Sequence, residues 1–150
     1  MLDEFDQALL AEVQRDNLRT HAALGEKVGL SASSVRRRLA SLRERGVIRA
    51  DVSLVDADAT MVTVVVLVRF ETESVEGVQA FKERMRAAPE VAQCYSVAGA
   101  VDFVLVVHVP DQATYEAWGE RMLLADPLIQ RYDSHIVWSC VKYTTELPIT

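Results

Sequence analysis

In this 150-residue sequence, the residues whose types and spacing are best suited to chemistry are a group of arginines. Between Arg36 and Arg49 there are six arginines and one acid, Glu44. Guanidinium groups bind phosphate oxygens and the guanine edge through paired hydrogen bonds, so this stretch is suited to nucleic acid. Arginine runs are more often plain solvated surface, so the elements around this one must decide between the two interpretations.

The elements around the arginines follow the pattern of a helix-turn-helix. Apolar residues at helical spacing predict a first helix over residues 3–15, and Thr20 is suited to cap a shorter second helix. Gly29 suits the left-handed position that ends the second helix, and Ser31 is a favourable N-cap for the third, which Gly46 should end. In this motif the last helix lies in the major groove and reads bases near its N-terminus.

The third helix is expected to bury a stripe formed by Val35, Leu39 and Leu42. At 100° per residue, the face opposite this stripe carries hydroxyl groups and arginines. Short hydroxyls allow the helix to approach DNA closely, and a helix N-terminus itself accepts a phosphate. The predicted contacts to double-stranded DNA are Ser31, Ser33, Ser34, Arg36, Arg37, Arg38 and Ser41.

The distribution of charge suggests two different jobs for the two parts of the chain. Residues 1–50 hold nine Lys and Arg against seven Asp and Glu, a net charge of +2, whereas residues 51–150 carry −8. No apolar run approaches the roughly 18 residues that a membrane helix needs, and the first residues lack the basic region of a secretory signal. We therefore expect a cytoplasmic, nucleoid-associated protein with no membrane partner.

The sequence contains no constellation typical of an enzyme or a metal site. His21, His108 and His135 do not share a metal-ligand spacing, and no phosphate-binding loop, nucleophile elbow or zinc-protease motif occurs. Cys94 and Cys140 form no C-x-x-C pair and are expected to be buried strand residues. The prediction is a protein without catalytic residues, metal or cofactor.

After residue 61 the pattern changes to strands alternating with helices. Residues 51–61 are typical of a linker with one short strand. Strands are predicted at residues 62–70, 91–97, 103–109 and 136–141, with helices after the first and the third. This order predicts an α+β protein: a three-helix, winged-helix-like helix-turn-helix domain at residues 1–50, a hinge strand at 51–61, and a ferredoxin-like βαββαβ sandwich at 62–150.

The predicted strands are apolar on both faces, which a two-layer sandwich does not require. The stretches 64–68, 104–107 and 136–138 show no alternation between apolar and polar residues. The chain offers no further element to cover the second face, so we infer a homodimer that packs sheet on sheet. Such a dimer also presents two helix-turn-helix units, as a palindromic DNA site requires.

The loop from Val97 to Phe103 admits two interpretations. Gly99 at positive φ and Asp102 bonded to the backbone describe an ordinary hairpin turn. The same exposed backbone groups and carboxylate are suited to gripping the ammonium and carboxylate of a small amino acid. The residues alone leave both interpretations open.

The order and spacing of these motifs resemble the Lrp/AsnC family of feast/famine transcription regulators over essentially the whole length. The matching stretches are Leu2-Asp3-x-x-Asp6-x-x-Leu9-Leu10, Val28-Gly29-Leu30-Ser31, Val35-x-x-Arg38-Leu39-x-x-Leu42-x-x-x-Gly46-Val47-Ile48 and Val97-x-Gly99-x-x-Asp102-Phe103, with Val109-Pro110-Asp111 and Tyr115 after them. The resemblance implies dimers that assemble further, commonly as a tetramer of dimers, and an amino-acid effector bound between dimers near the glycine turn.

Carried onto this sequence, the resemblance places Gly99 and Asp102 at the family's ligand turn, and Ser134 where many members have a threonine near the ligand. The family usually carries Asp or Asn directly after the glycine, where this chain has Ala100. The predicted effector-binding residues are Gly99, Ala100, Val101, Asp102 and Ser134.

The function that these observations predict is a sequence-specific DNA-binding transcriptional regulator whose C-terminal domain oligomerises and senses a small effector such as an amino acid. Two alternatives remain open at this point. One is an enzyme similar to sirohaem decarboxylases on the same fold, which the −8 charge of residues 51–150 disfavours. The other is a protein that packs the nucleoid without sequence preference.

Overall fold

The structure is a computed structural model that describes residues 1–56, 60–72 and 74–149. The chain forms two compact units: a helical unit of Met1–Leu54 together with Val141–Thr150, and a sheet unit of Val55–Cys140. The domains predicted from the sequence were 1–50, 51–61 and 62–150, with the last residues assigned to the C-terminal domain. These predicted boundaries stay predictions. Among the described residues, no helix has both the length and the apolar character needed to span a bilayer.

The helical unit contains three helices, α1 (Glu4–Arg15), α2 (His21–Val28) and α3 (Ala32–Glu44). Each helix begins at a side-chain cap: Asp3, Thr20 and Ser31 each accept a hydrogen bond from the backbone N–H three residues later. Gly29 ends α2 at φ 74°, a left-handed conformation that strongly favours glycine. The three predicted helices and the caps predicted at Thr20, Gly29 and Ser31 are therefore confirmed, and the cap at Asp3 is added by the structure.

The helical unit has a small core built from one face of each helix. The stripe predicted on α3 is confirmed, because its three members are almost completely buried. The buried residues of this core are Leu9, Leu10, Leu24, Val35, Leu39 and Leu42. So small a core depends on the partly buried side chains packed around it, which include Ile48 and Ile149.

The sheet unit is an antiparallel sheet with two long helical segments. Its strands are β1 (Val62–Phe70), β2 (Val91–Ser96), β3 (Phe103–Val109) and β4 (Ile129–Ile136). Its helices are α4 (Val75–Ala87) and α5 (Gln112–Gly119), and a π-helical turn, Glu120–Leu124, follows α5. The spatial order β2-β3-β1-β4 and the antiparallel pairing confirm the ferredoxin-like βαββαβ sandwich.

The prediction for the fourth strand was wrong. The apolar run at 136–141 was taken as the strand, whereas the strand that pairs with β1 is the more polar segment 129–136. An edge strand needs backbone hydrogen bonds more than apolar side chains, so composition misplaced it. Trp138 is 94% exposed, and Cys140, predicted to be buried, is also exposed.

The hinge strand expected within residues 51–61 is not present in the part of this segment that the structure describes. Residues 51–56 and residues 60 and 61 adopt no strand, and residues 57–59 lie outside the described residues. A strand is defined by pairing with another strand, and nothing in this single chain pairs with the described part of the segment.

The two faces of the sheet differ in burial but not in chemical character. On the face that packs against the helices, Val64, Val66, Val68, Leu105 and Val107 are fully buried. On the opposite face, four aliphatic side chains at the centre are only partly buried: Val65, Leu67, Val104 and Val106. The expectation of strands apolar on both faces is confirmed for β1 and β3.

Candidate functional site

The first candidate site is the exposed face of α3, which the helical core orients. Because Val35, Leu39 and Leu42 point into the core, the remaining positions of the helix face outward. Arg36 and Arg37 are exposed, whereas Ser41 is partly buried. The packing of one apolar stripe is thus enough to present a polar and basic surface.

Three serine hydroxyls cluster at the N-terminus of α3. The Oγ atom of Ser31 accepts the Ser34 N–H at 3.2 Å and donates to the Ser34 hydroxyl at 3.0 Å. The Ser33 and Ser31 hydroxyls are 3.1 Å apart. The cluster holds short polar groups beside free helical N–H groups, an arrangement suited to a phosphate oxygen.

The arginines of α3 divide into free and engaged side chains. Arg36 and Arg37 form no hydrogen bond or ion pair within the described residues. Arg38 instead donates through Nη1 to the carboxylates of Asp3 and Asp6, at 2.8 Å to each. Its guanidinium also lies 5.4 Å from the centre of the Phe5 ring.

These ion pairs set the charge balance around Arg38. The hydrogen bonds that Arg38 donates to the carboxylates of Asp3 and Asp6 raise the pKa of its guanidinium. The Asp6 backbone N–H, followed by Arg38, lowers the pKa of the Asp3 carboxyl. Arg38 thus joins α3 to α1, and two carboxylates already compensate its charge. Its predicted contact with DNA stays a prediction.

Arg43 is engaged in the same way. Its Nε and Nη2 atoms donate to the two Asp51 carboxylate oxygens at 2.9 and 3.2 Å. Hydrogen bonding to the partner raises the pKa of Arg43 and lowers the pKa of Asp51. This bidentate pair anchors the residues that follow α3.

An open cavity of about 370 Å³ lies beside the outward face of α3. Its lining residues are Asp6, Arg37, Arg38, Ser41 and Arg45. The sequence did not single out Arg45, because this residue is the C-cap of α3 and lies beyond the helical positions that were assigned to the polar face. Its Nη1 atom is 4.0 Å from an Asp6 oxygen, so it faces the same cavity as Arg37. The cavity is suited to an anion such as a backbone phosphate.

The second candidate site is the turn between β2 and β3. Gly99 adopts φ 153°, a region that favours glycine. The Val97 N–H donates to the Asp102 carbonyl at 3.0 Å, which closes the hairpin. One carboxylate oxygen of Asp102 accepts the Phe70 N–H at 2.6 Å, and the Asp102 N–H donates to the Val68 carbonyl.

Asp102 therefore has a structural role at the end of β1. Its Oδ2 atom satisfies a backbone donor of a buried residue, Phe70. Its Oδ1 atom accepts no hydrogen bond from the described residues. The hairpin interpretation of the turn accounts for both Gly99 and Asp102, and it leaves one carboxylate oxygen available to a ligand.

Ser134, the fifth predicted effector residue, lies on β4. It pairs with Val66 on β1, and its hydroxyl is hydrogen-bonded to the Tyr115 hydroxyl on α5. Burial raises the pKa of Tyr115. The sequence did not indicate the Tyr115–Ser134 pair, because the two residues come together only through the packing of α5 on the sheet. No hydrogen bond within the described residues joins Ser134 to Gly99 or Asp102.

The histidines and acids do not assemble into a metal site. Within residues 1–56, 60–72 and 74–149, no group of three or more His, Cys, Asp or Glu side chains is placed to hold a metal ion. His108 instead shares a 2.9 Å hydrogen bond between its Nδ1 atom and the Thr63 hydroxyl.

Comparison with known protein families agrees with the division of the chain into a helical unit and a sheet unit. Residues 2–43 match the AsnC-type helix-turn-helix domain, and residues 63–147 match the Lrp/AsnC ligand binding domain. The fold and the sites define a helix-turn-helix, DNA-binding transcriptional regulator that carries a separate ligand-binding domain. The chain belongs to the Lrp/AsnC family.

Known relatives extend over the whole chain. An HTH-type transcriptional regulator of Sinorhizobium fredii is 40% identical over 99% of this chain and 89% of its own length. The crystal structure of an AsnC family transcriptional regulator from Agrobacterium tumefaciens is 39% identical, with a TM-score of 0.89, and covers 98% of this chain and 97% of its own. The Neisseria meningitidis regulator NMB0573, solved as a complex with L-Met, is 27% identical with a TM-score of 0.89, covering 99% and 97%.

These matches decide between the alternatives that the sequence left open. The family and the relatives are transcriptional regulators rather than enzymes. They favour neither a sirohaem-decarboxylase-like activity nor non-specific packing of the nucleoid.

Proposed function

We propose that α3 binds the major groove of double-stranded DNA through its serine cluster and its free arginines. The observation that carries this proposal is the division of the arginines: Arg36 and Arg37 are exposed and unpaired within the described residues, whereas Arg38 and Arg43 are held by carboxylates. The proposed contacts are Ser31, Ser33, Ser34, Arg36, Arg37, Arg38 and Ser41, and Arg36 and Arg37 are the two whose charge no carboxylate compensates within the described residues. Arg38 also fixes α3 to α1.

Two arginine variants on the same helix test this assignment. Arg37→Ala should weaken binding to a selected duplex by about 1–3 kcal/mol if Arg37 reads a base. If Arg37 contacts a phosphate instead, the slope of log K against log salt concentration should become smaller by about one, because one ion fewer is released on binding. Arg43→Ala removes an equal charge that is paired with Asp51, so it is the matched control. Equal effects of the two variants in fluorescence anisotropy would remove Arg37 from the interface.

The open face of the sheet supports a homodimer. Val65, Leu67, Val104 and Val106 form a contiguous apolar centre that is only partly buried in one chain. Aliphatic surface of this kind is stabilised by a second apolar layer, and a second copy supplies the same surface under two-fold symmetry. The dimer brings together two helix-turn-helix units, which suits a palindromic site.

Light scattering tests the dimer directly. Leu67→Asp places a charge in the centre of the open face and should yield a species close to the 16.7 kDa of one chain. Leu124→Asp changes an already exposed leucine outside the sheet and should leave the dimer intact. A wild-type protein that is monomeric at micromolar concentration would contradict the proposal.

The sheet unit is proposed to bind an amino acid at the glycine turn. The proposed effector residues are Gly99, Ala100, Val101, Asp102 and Ser134. The unengaged Asp102 oxygen supports this, because it is placed to accept from an ammonium group while the other oxygen caps β1. The L-Met complex of the Neisseria regulator supports an amino acid as the class of effector.

A thermal-shift screen of the twenty amino acids tests the effector. A ligand present at 100 times its Kd should stabilise the folded protein by about 2.7 kcal/mol. Gly99→Val should abolish the shift, since a β-branched residue resists the φ of 153° found here. Ala100→Val adds the same side chain at a neighbouring position without positive φ and is the matched control. An unchanged shift in Gly99→Val would show that the turn is only a connector.

The regulatory mechanism that we propose is a shift in assembly. An effector bound between dimers changes their arrangement in a tetramer of dimers, and hence which half-sites are occupied together. Such a shift requires different affinities of the effector for the two assemblies. The protein would act in the cytoplasm, associated with the nucleoid.

A further inference from the structure

The chain returns to the helical unit after it has completed the sheet unit. The backbone leaves the helical unit after Leu54 and rejoins it at Val141. We call residues 141–149 the return segment. Only residues 137–140 separate it from β4, the strand that carries Ser134.

The return segment is held by the side chain of one residue on α1. The Gln14 Oε1 atom accepts the Leu147 N–H at 2.7 Å, and the Gln14 Nε2 atom donates to the Leu147 carbonyl at 3.2 Å. A side-chain amide that bonds both backbone groups of one residue reproduces the pairing of a strand edge. Gln14 therefore recognises an extended backbone, whatever side chain Leu147 carries.

Three further contacts lie on either side of Leu147. Arg15 donates from Nε to a Glu146 carboxylate oxygen at 3.0 Å, and the Glu146 N–H donates to the Thr144 hydroxyl at 3.1 Å. Ile149 packs against the small core of the helical unit and is partly buried there. Hydrogen bonds, an ion pair and an apolar contact thus fix three successive parts of the segment.

The helix that receives the segment is also ion-paired with α3. α1 carries Asp6 and is capped by Asp3, and these two carboxylates hold Arg38 on α3. Arg38 and Asp6 line the same cavity as Arg37 and Arg45. A change in the position or stability of α1 therefore reaches the basic surface of α3 directly.

We propose that the return segment is a second tether between the sheet unit and the DNA-binding unit, and that Gln14 is the positioning residue that receives it. The first tether is the connection after Leu54. The second runs from β4 onto α1, so that strain or displacement at the end of β4 changes the affinity of α3 for DNA. This inference rests on the proposed role of α3 in binding DNA.

The test uses the full-length protein with a close isostere. Gln14→Met keeps the length of the side chain and removes both hydrogen bonds to Leu147. Gln112→Met removes a hydrogen bond to Glu116 on an exposed helix of the sheet unit and is the matched control. A chain that ends after Tyr143 removes the whole docked segment. Each variant is assayed by amide hydrogen exchange and by anisotropy on the duplex selected for the wild type.

We expect the Leu147 amide to be protected from exchange in the wild type and in Gln112→Met, and unprotected in Gln14→Met. We also expect Gln14→Met and the shortened chain to bind the duplex about fivefold more weakly or worse, while Gln112→Met is unchanged. The salt dependence should stay that of the wild type in Gln14→Met, because no phosphate contact is lost. By reciprocity, the duplex should increase the protection of the Leu147 amide.

Two outcomes overturn the proposal. One is an unprotected Leu147 amide in the wild type, since the segment is then not docked. The other is wild-type affinity in both Gln14→Met and the shortened chain, since the docked segment then has no influence on α3. If Arg37→Ala weakens binding while those two variants do not, the tether proposal is contradicted and the proposed DNA interface is retained. If all of these variants bind as the wild type does, the interface itself fails.

Discussion

The helical unit and the sheet unit both have an apolar core, but they differ in its size and in how many ion pairs accompany it. In the helical unit, six buried residues form the core, and ion pairs such as Arg38 with Asp6 and Arg43 with Asp51 connect its elements. In the sheet unit a larger apolar core, which includes Phe81 and Trp118, takes this role. Most ion pairs among the described residues accordingly lie in the helical unit.

The side chains that find no partner within their own unit indicate what that unit binds. The helical unit leaves Arg36 and Arg37 without compensating carboxylates among the described residues, and unpaired cations suit phosphate. The sheet unit leaves Leu67 and Val104 only partly covered, and aliphatic surface suits a second apolar layer. Side chains already engaged within a unit are weak candidates for its binding surface, whichever type they are.

The largest expected change in the free energy of unfolding comes from comparing substitutions on the two faces of the sheet. Leu105→Ala, on the helix-covered face, should lower the free energy of unfolding by about 2–5 kcal/mol, because it opens a cavity in a fully buried core. Leu67→Ala, on the open face, should act through association, so its cost should depend on protein concentration. Urea unfolding at two protein concentrations measures both. A concentration-independent loss of equal size would show that the open face is packed within one chain.

The next effect concerns the dual role of Asp102. Asp102→Ala should cost about 1–3 kcal/mol of unfolding free energy, since it leaves the Phe70 N–H without an acceptor. Asp102→Asn keeps an oxygen acceptor and should remain close to wild-type stability in thermal unfolding. If an amino acid binds through its ammonium group, Asp102→Asn should nevertheless lose that ligand. Equal stability of the alanine and asparagine variants would contradict the structural role.

A smaller effect is expected at the start of α3. Ser31→Ala removes the N-cap of the helix and should cost about 1 kcal/mol of stability in the helical unit. Ser33→Ala, two residues later, removes a hydroxyl that does not cap the helix and should be close to neutral for folding. Chemical denaturation followed by circular dichroism measures the difference. A loss from Ser33→Ala as large as that from Ser31→Ala would show that the cap is not what stabilises the start of α3.

The smallest effect is a difference in acid sensitivity between the units. The pKa of Asp3 is lowered by the Asp6 N–H and Arg38, that of Asp51 by Arg43, and that of Glu12 by Lys27. A carboxyl group whose pKa is lower in the folded state stabilises the fold at neutral pH, and this stability is lost as the pH falls through the folded pKa. The helical unit should therefore lose stability below the ordinary Asp value of 3.8.

Hydrogen exchange at pH 7 and pH 3 checks this difference unit by unit. The α3 amides should lose more protection on acidification than the β3 amides, because the sheet unit holds fewer such carboxyl groups. Asp51→Asn should reduce the acid sensitivity of the helical unit, as it removes one titrating group. An equal loss in both units would contradict the assignment of these ion pairs to the helical unit.

Much of the fold could be predicted from the sequence because local signals decide it. The caps at Thr20 and Ser31, the glycine at 29 and the stripe on α3 all act within a few residues of the chain. The bounds of β1 and β3 followed from β-branched runs that the sheet buries. The fourth strand could not be located in this way, because an edge strand is chosen by pairing with β1 and not by its own composition.

The site was predicted only in part for a similar reason. The sequence placed the arginines on one helix, but it gave no means of telling Arg37 from Arg38. The role of Asp102 as an acceptor for Phe70 and the pairing of Tyr115 with Ser134 join residues far apart in the chain. Such contacts depend on how elements pack, and no local pattern reports them.

The sequence by itself determined which segments form helices and strands, which faces are apolar, and that a basic helix precedes an acidic domain. Periodicity and capping fix these properties because they act over one or two helical turns. Only the tertiary structure decided that Arg38 is bound to Asp3 and Asp6 while Arg37 is free, and that the segment after Val141 docks on Gln14. Long flexible side chains and extended backbone have many possible partners, and packing selects which of them lie within reach.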